Sequence, residues 1–109
     1  MKPPVTHQDT GTLSVALLER MASVLKLLAH AQRLRIIDIL QQAGPLPVNE
    51  IRRRLDLPQA ATSHHLNAMK RVGLLGAERR GQEVWYHVAD PRALTILECI
   101  RRKKGADAA

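Results

Sequence analysis

Two short apolar-patterned segments, separated by a tight break and followed by a glycine-tipped strand pair, constrain the fold of this chain more than any other feature. The first segment covers residues 48–55 and the second covers residues 58–72. The break between them, Asp56-Leu57-Pro58, is too short for a loop, and Gly73 stops the second segment. The pattern therefore predicts two short helices joined by a tight turn.

The pattern changes from helical to alternating after Gly73. Residues 74–79 and 83–88 are typical of two strands, and Arg80-Gly81-Gln82 between them predicts a β-hairpin with glycine at its tip. Two helices, a tight turn and then a basic hairpin are the plan of a winged helix-turn-helix. In that plan the second helix reads DNA in the major groove and the hairpin forms the wing.

Three further helices are predicted around this unit. They cover about residues 13–29, 31–42 and 91–104. The expected fold class is therefore mainly α with a small β-hairpin: a winged helix-turn-helix of about five helices and a two-stranded wing. We expect one DNA-binding and dimerisation domain over residues 12–104, with disordered tails at residues 1–11 and 105–109.

The first helix carries more apolar residues than a surface helix needs. Its apolar positions fall on two stripes rather than one. Such a helix could lie deep within its own domain, or it could be shared between the core and a dimer partner. A chain of 109 residues buries a modest core, so the second interpretation is favoured and a homodimer is expected.

The charge distribution favours a nucleic acid partner. The chain carries 17 Lys and Arg against 10 Asp and Glu, and residues 52–80 hold seven basic residues against two acidic ones. Trp85 and Tyr86 are the only large aromatic residues, which is too few for stacking single-stranded bases. Duplex DNA, bound through phosphates and groove contacts, needs no such platforms. The basic residues are spread over several elements, which argues against a membrane-surface helix.

The single cysteine and the absence of targeting segments predict a cytoplasmic protein. No run of about 18 apolar residues occurs, and the first twelve residues lack the apolar centre of a signal peptide. Cys99 alone cannot form an internal disulfide. Cys99 and His87 are also the only conceivable nucleophile and base, with no third orienting residue indicated, so an enzyme is not expected.

Three stretches of the sequence resemble the ArsR/SmtB family of bacterial repressors. The most specific is LPQAATSHHL at residues 57–66 with Gly73-Leu74-Leu75 after it. LAHAQRLRII at residues 28–37 resembles the family's second helix, and RRGQEVWY at residues 79–86 resembles its wing. The similarity covers about residues 13–104. It implies a sequence-specific DNA-binding regulator, expected to repress by binding an inverted repeat as a homodimer.

The resemblance assigns roles to individual positions. It implies that base edges are approached by Gln59, Thr62, Ser63 and His64, phosphates by Lys70 and Arg71, and the minor groove or backbone by the wing residues Arg79, Arg80 and Gln82. It implies a dimer interface on the first and last helices, with candidates Leu13, Leu17, Met21, Leu94, Leu97 and Cys99. His65 is expected to pack or orient, and the arginines at 52–54 are expected to form a solvated face.

The family's usual metal sites are not expected in this chain. The arsenic-type site needs cysteines at the start of the third helix, and the zinc-type site needs histidine on the last helix; both are missing here. Cys99 could be a buried packing residue, or could bind a metal or form a disulfide across the dimer axis. A terminal site from His7, Asp9 and His30 is a weaker alternative. No metal or cofactor is therefore predicted, and the effector is left open.

The sequence departs from the family's usual pattern at two positions. The family usually has Asp or Asn at the position of His30, and Ser at the position of Pro58. Pro58 removes one potential phosphate contact but presets the φ angle of a first turn.

The alternative function is that of a winged-helix module that binds an acidic protein partner and has only non-specific affinity for DNA. Such a module would not depend on Gln59, Ser63 and His64.

Overall fold

The first helix, α1, is attached to the rest of the molecule mainly at its end. The computed structural model describes residues 11–108, with side chains up to residue 103. Helix α1 spans Val15–Leu28, and it begins where the Ser14 Oγ accepts a hydrogen bond from the Leu17 N–H at 3.1 Å. Leu28 is its only buried residue. Residues 1–10 and 109 lie outside the described residues, so the predicted tails there stay predictions.

The remaining helices and a small sheet enclose the core. The elements after α1 are α2 (Ala31–Ala43), β1 (Leu46–Pro47), α3 (Val48–Leu55), α4 (Gln59–Arg71), β2 (Leu75–Arg80), β3 (Glu83–Val88) and α5 (Pro91–Ala108). The core between these helices contains four fully buried residues: Ile36 and Ile37 of α2, Ile51 of α3 and Leu66 of α4. Burial of this apolar surface holds α4 in one orientation. Within residues 11–108, no helix is long and apolar enough to cross a membrane.

The sheet has three strands where the sequence predicted two. Its order is β1-β3-β2, and both pairings are antiparallel. The predicted hairpin is present, with Arg80 opposite Glu83 at its tip and Leu75 opposite Val88 at its base. The additional strand pairs Leu46 with Tyr86, which ties the start of α3 to the wing. Two residues, one of them proline, are too few for an alternating pattern, so this strand left no signal in the sequence.

The turn between α3 and α4 depends on one residue in a left-handed conformation. Asp56 has φ 59° and ψ 49°, and it is the only described residue other than glycine with a positive φ. Its N–H donates to carbonyls of the last turn of α3, including that of Arg53 at 3.2 Å. The chain therefore reverses within Asp56-Leu57-Pro58 and starts α4 at Gln59. This left-handed residue sets the angle between the two helices.

We expect Asp56→Val to lower the free energy of unfolding by about 1–2 kcal/mol, because a β-branched side chain clashes with the backbone in this region. Asp56→Gly is expected to cause no such loss, since glycine adopts a positive φ freely. Urea denaturation of both variants checks this. Equal destabilisation by valine and glycine would mean that the Asp56 side chain, and not its backbone conformation, is what the turn needs.

Helix α5 packs along α2 and continues further than predicted. It begins at Pro91, where the Asp90 carboxylate accepts the Arg92 N–H at 2.9 Å and pairs with the Arg92 guanidinium. That guanidinium holds the pKa of Asp90 below its usual range. An ion pair of 2.9 Å joins Arg101 to Asp38 of α2. The helix reaches Ala108, whereas the sequence predicted an end near Lys104; Gly105 costs helix stability but does not stop a helix followed by good helix formers.

Candidate nucleic-acid interface

Helix α4 has one face in the core and the other in solvent. The residues that anchor it are Thr62, His65, Leu66, Ala68 and Met69. On the opposite face Gln59, His64 and Asn67 are exposed, and Ser63 is half-buried. Positions 59, 63 and 67 are four apart, so they form a single polar stripe along the helix. This stripe ends in Lys70 and Arg71, which are also exposed.

Thr62 corrects the predicted set of reader residues. It is fully buried, and its hydroxyl donates to the Pro58 carbonyl at 3.0 Å. That carbonyl also accepts the Thr62 N–H at 3.1 Å. Thr62 therefore closes the first turn of α4 from the inside and cannot approach base edges. A polar residue three positions after the helix start can lie on the buried face or on the exposed face, and the composition of the helix alone did not distinguish these two placements.

The N-terminus of α4 has no side-chain cap. Pro58 occupies the cap position with an extended backbone (φ −61°, ψ 154°) and has no side chain that could accept a hydrogen bond from the first turn. The first N–H groups of the helix are thus left without intrahelical partners, and the exposed residues Gln59 and Ala60 lie beside them. The positive end of the helix dipole is directed outward at the same place. An anionic group such as a backbone phosphate is favoured there.

The wing places its two arginines differently. Arg80 lies over the Trp85 ring, 4.5 Å from its centroid, and pairs with Glu78 at 3.4 Å. The contact with the ring preorganises this guanidinium against the sheet. The Arg79 side chain is exposed, and it makes no ion pair or hydrogen bond with the described side chains of residues 11–103. Of the two, Arg79 is therefore the cation that is free to bind phosphate. Gly81, with φ 62°, allows the tight turn between strands β2 and β3.

A polar groove joins the reader helix to the wing. It has a volume of about 320 Å³ and lies between the start of α3, the start of α4 and β3. Its polar lining is Asn49, Gln59, Ser63, Gln82 and Glu83. Three of the predicted contact residues, Gln59 and Ser63 on the helix and Gln82 at the wing tip, therefore share one surface. The structure thus brings Gln82 next to helix residues that lie 19 and 23 positions before it in the chain.

The arginines of α3 behave largely as the predicted solvated face. Glu50 accepts hydrogen bonds from Arg54, at 2.8 Å, and from Arg53, one turn away on the same helix. These contacts, with that of Arg54 the larger, lower the pKa of Glu50. Two of the three cations are thus partly neutralised within their own helix. Lys70 and Arg71, by contrast, have no ion pair among the described side chains.

The exposed large apolar side chains lie mainly on α1 and just before it. Four of them are about half exposed or more: Leu13 (56%), Val15 (68%), Leu18 (48%) and Leu25 (50%); Ile100 of α5 is exposed to a similar extent (48%). We call the first four the α1 face. Among the predicted interface residues Leu13 lies on it, Leu17, Met21 and Leu94 are half-buried, and Cys99 is exposed. Exposed apolar surface of this extent on one helix is typical of an interface.

Leu97 corrects the predicted interface. Only 6% of it is exposed, and it belongs to the core of its own chain. Val15, Leu18, Leu25 and Ile100 were not among the predicted contacts, although the second apolar stripe of the first helix contained three of them. These residues are not needed for the chain's own core, since residues that the core needs would be buried.

No metal site is formed by the described side chains. Residues 11–103 contain no group of three or more His, Cys, Asp and Glu side chains that could hold an ion. His30 instead caps α2, where its Nδ1 accepts the Gln32 N–H at 3.2 Å in the role that the family usually gives to Asp or Asn. His7 and Asp9, the other members of the terminal site considered from the sequence, lie outside the described residues.

Comparison with known proteins identifies the same elements. A helix-turn-helix domain family matches residues 28–75, which include α2, α3 and α4. The transcriptional repressor PagR of Bacillus anthracis is 36% identical over 83 residues, or 76% of this chain and 83% of PagR. The crystal structure of PagR matches with a TM-score of 0.73 and 33% identity, covering 80% of this chain and 99% of PagR.

Two further relatives bear on assembly and on regulation. The homodimeric winged helix-turn-helix DNA-binding domain Mb0332 of Mycobacterium bovis, described as a possible ArsR-family regulator, matches with a TM-score of 0.72 and 30% identity, covering 87% of this chain and 90% of that domain. The transcriptional activator HlyU of Vibrio cholerae is 33% identical over 79 residues, or 72% of each chain. These likenesses confirm the predicted winged helix-turn-helix fold.

Proposed function

Because this chain belongs to the ArsR family of winged helix-turn-helix transcriptional regulators, we propose that it is a cytoplasmic repressor that binds an inverted-repeat operator in double-stranded DNA as a homodimer. Helix α4 enters the major groove, and the wing contacts the adjacent backbone or minor groove. The α1 face joins the two protomers. The proposal includes no enzymatic activity and no resident metal.

One observation carries the proposal. Helix α4 is fixed by a fully buried face, while its outer stripe, its uncapped N-terminus and the wing form one continuous polar and basic surface. A surface helix that bound no ligand would not need to be held in one orientation next to a wing arginine that has no ion pair. On this surface Gln59, Ser63 and His64 supply donors and acceptors for base edges. Lys70, Arg71 and Arg79 supply phosphate contacts.

Selection of bound duplexes from a random library tests the proposal. The full-length protein is expected to enrich two half-sites related by a two-fold axis, about one helical turn apart. Enrichment of a single half-site would contradict the dimer. No enrichment, with equal binding to every duplex, would contradict sequence-specific recognition and favour the module that binds an acidic protein. A promoter reporter then distinguishes repression, as in PagR, from activation, as in HlyU.

Substitutions on the helix and on the wing are expected to have different effects. Gln59→Ala should weaken binding to the selected duplex by about 1–3 kcal/mol while leaving scrambled DNA unaffected, because it removes a base contact. Arg79→Ala should weaken binding to both duplexes alike, because phosphates carry no sequence information. Fluorescence anisotropy titrations of both variants measure this. Arg53→Ala, on the exposed face of α3, is the control. Equal losses of sequence preference at positions 59 and 79 would mean that α4 is not the reader.

A further inference from the structure

Arg33 of α2 joins the end of the α1 helix to the reader helix. Its Nη1 donates to the Leu27 carbonyl at 3.2 Å, and its Nε donates to the His65 Nδ1 at 3.1 Å. Leu27 lies in the last turn of α1, where carbonyls have no intrahelical partner. His65 lies on the buried face of α4, directly after the exposed His64. One side chain thus connects the C-terminal end of α1 to α4.

The contact with Arg33 requires a neutral His65. A guanidinium donates hydrogen bonds and never accepts them, so the Nδ1 atom must be the acceptor and the proton must be on Nε2. Protonated imidazole has N–H groups at both positions and cannot accept. It would also place a positive charge against a guanidinium. Protonation of His65 therefore removes the hydrogen bond and replaces it with repulsion.

The surroundings of His65 all oppose a positive charge. From α2, Arg33 donates to it and the His30 ring meets it edge to face, with ring centroids 4.5 Å apart. From α4 itself, His64 lies 5.9 Å away by the same measure. From α1, the only group in the network is the Leu27 carbonyl, reached through Arg33. Burial, followed by the charges of His30, Arg33 and His64, lowers the pKa of His65 below 6.5.

We propose that Arg33 is a positioning residue for the reader helix, and that it acts through neutral His65, so that acidification releases α4 from α1 and weakens DNA binding. This inference rests on the proposed function, since it concerns the same DNA surface. It adds a built-in pH dependence and names the two residues responsible. It also provides a route by which a displacement of the C-terminal end of α1 reaches α4, because Arg33 holds both.

The sign of the pH effect follows from the lowered pKa. Above about pH 6.5, the ordinary value for histidine, His65 is neutral in both folded and unfolded chains, and the full network is present. As the pH falls below that value the unfolded chain takes up the proton first, so stability declines; once the pH reaches the lower value of the folded protein, the hydrogen bond itself is lost.

The test compares wild type with variants in which position 65 cannot titrate. His65→Asn keeps an acceptor near the Nδ1 position and has no titrating group, whereas His65→Phe keeps an aromatic ring and has no acceptor. Affinity for the selected duplex is measured by anisotropy from pH 7.5 down to the lowest pH at which circular dichroism still shows both proteins folded. We expect wild type to weaken relative to His65→Asn by about tenfold as the pH falls, the effect of one charge-assisted hydrogen bond.

A double-mutant cycle tests the connection to Arg33. At pH 7.5 Arg33→Met and His65→Phe should each weaken binding about tenfold, and the double variant should weaken it no further, because both remove the same contact. Additive losses would overturn the proposal that Arg33 acts through His65. A constant ratio of wild-type to His65→Asn affinity over the whole pH range in which both proteins stay folded would overturn its pH dependence.

A measurement without DNA separates this inference from the proposed function. Nitrogen chemical shifts of the imidazole in NMR should show the Nε2–H tautomer at His65 at neutral pH, with a hydrogen-bonded Nδ1 whose shift moves towards that of a free imidazole nitrogen in Arg33→Met. If no variant and no wild-type protein binds any selected duplex, the proposed function fails; the tautomer still decides whether the Arg33–His65 contact exists. A protonated or Nδ1–H His65 at pH 7.5 would overturn the contact even if DNA binding is confirmed.

Discussion

Replacing Leu18 and Leu25 with glutamate is expected to dissociate the protein into monomers and to weaken its binding to an inverted-repeat duplex by about a hundredfold or more. Both residues are about half exposed on the α1 face, at 48% and 50%. In a two-fold symmetric dimer each substitution occurs twice, so four carboxylates would have to enter an apolar interface. Burying an unpaired charge costs far more than the interface gains there.

The loss of affinity follows from the loss of linkage between the two half-sites. When one reader helix of a dimer is bound, the second is held close to its half-site, and this effective concentration is absent for a monomer. Analytical ultracentrifugation measures the dissociation and anisotropy measures the binding. The matched control is Gln42→Glu with Ala43→Glu, at exposed positions at the end of α2, which adds the same charge outside the α1 face. A double glutamate variant of α1 that still dimerises would refute the α1 face as the interface.

The second large effect is the dependence on salt. Lys70, Arg71 and Arg79 are exposed and have no ion pair among the described side chains, so three cations per protomer are free to bind phosphate. A dimer that neutralises about six phosphates should lose roughly a thousandfold in affinity between 50 and 200 mM salt, because each contact releases condensed counterions.

The slope of this dependence tests individual contacts. Arg79→Gln removes two phosphate contacts from a dimer, so the slope of log affinity against log salt should become shallower by about two. Arg53→Gln is the control, since Arg53 is paired with Glu50 within α3. A slope near zero would contradict phosphate binding altogether. A slope that Arg79→Gln leaves unchanged would place the wing away from the DNA backbone.

Local signals in the sequence were sufficient for most of the fold. The break at Asp56-Leu57-Pro58 and the glycine at position 81 mark their turns by chemistry, and α3 covers the residues that the pattern predicted. The strand β1 could not be foreseen, because Leu46 and Pro47 form it only through pairing with β3. The register of that pairing is set by tertiary packing and leaves no periodicity in two residues.

The site was less predictable, because burial depends on packing between elements. The resemblance placed Thr62 with the reader residues, but the crossing of α4 over the core turns that residue inward. Leu97 was similarly assigned to a partner and instead packs in its own chain. The Arg33–His65 contact joins residues 32 positions apart, and a single sequence contains nothing that links them. Such contacts emerge only when the helices are placed in three dimensions.

The central claim is that this protein recognises a specific duplex through α4 as a homodimer. Anisotropy titration of the wild-type dimer against the selected inverted-repeat duplex and a scrambled duplex of the same composition, at 150 mM salt, tests it most directly. We predict binding at least about a thousandfold tighter to the inverted repeat, the lower end for specific over non-specific sites. Equal binding to the two duplexes would contradict the claim and leave the protein with general affinity for polyanions.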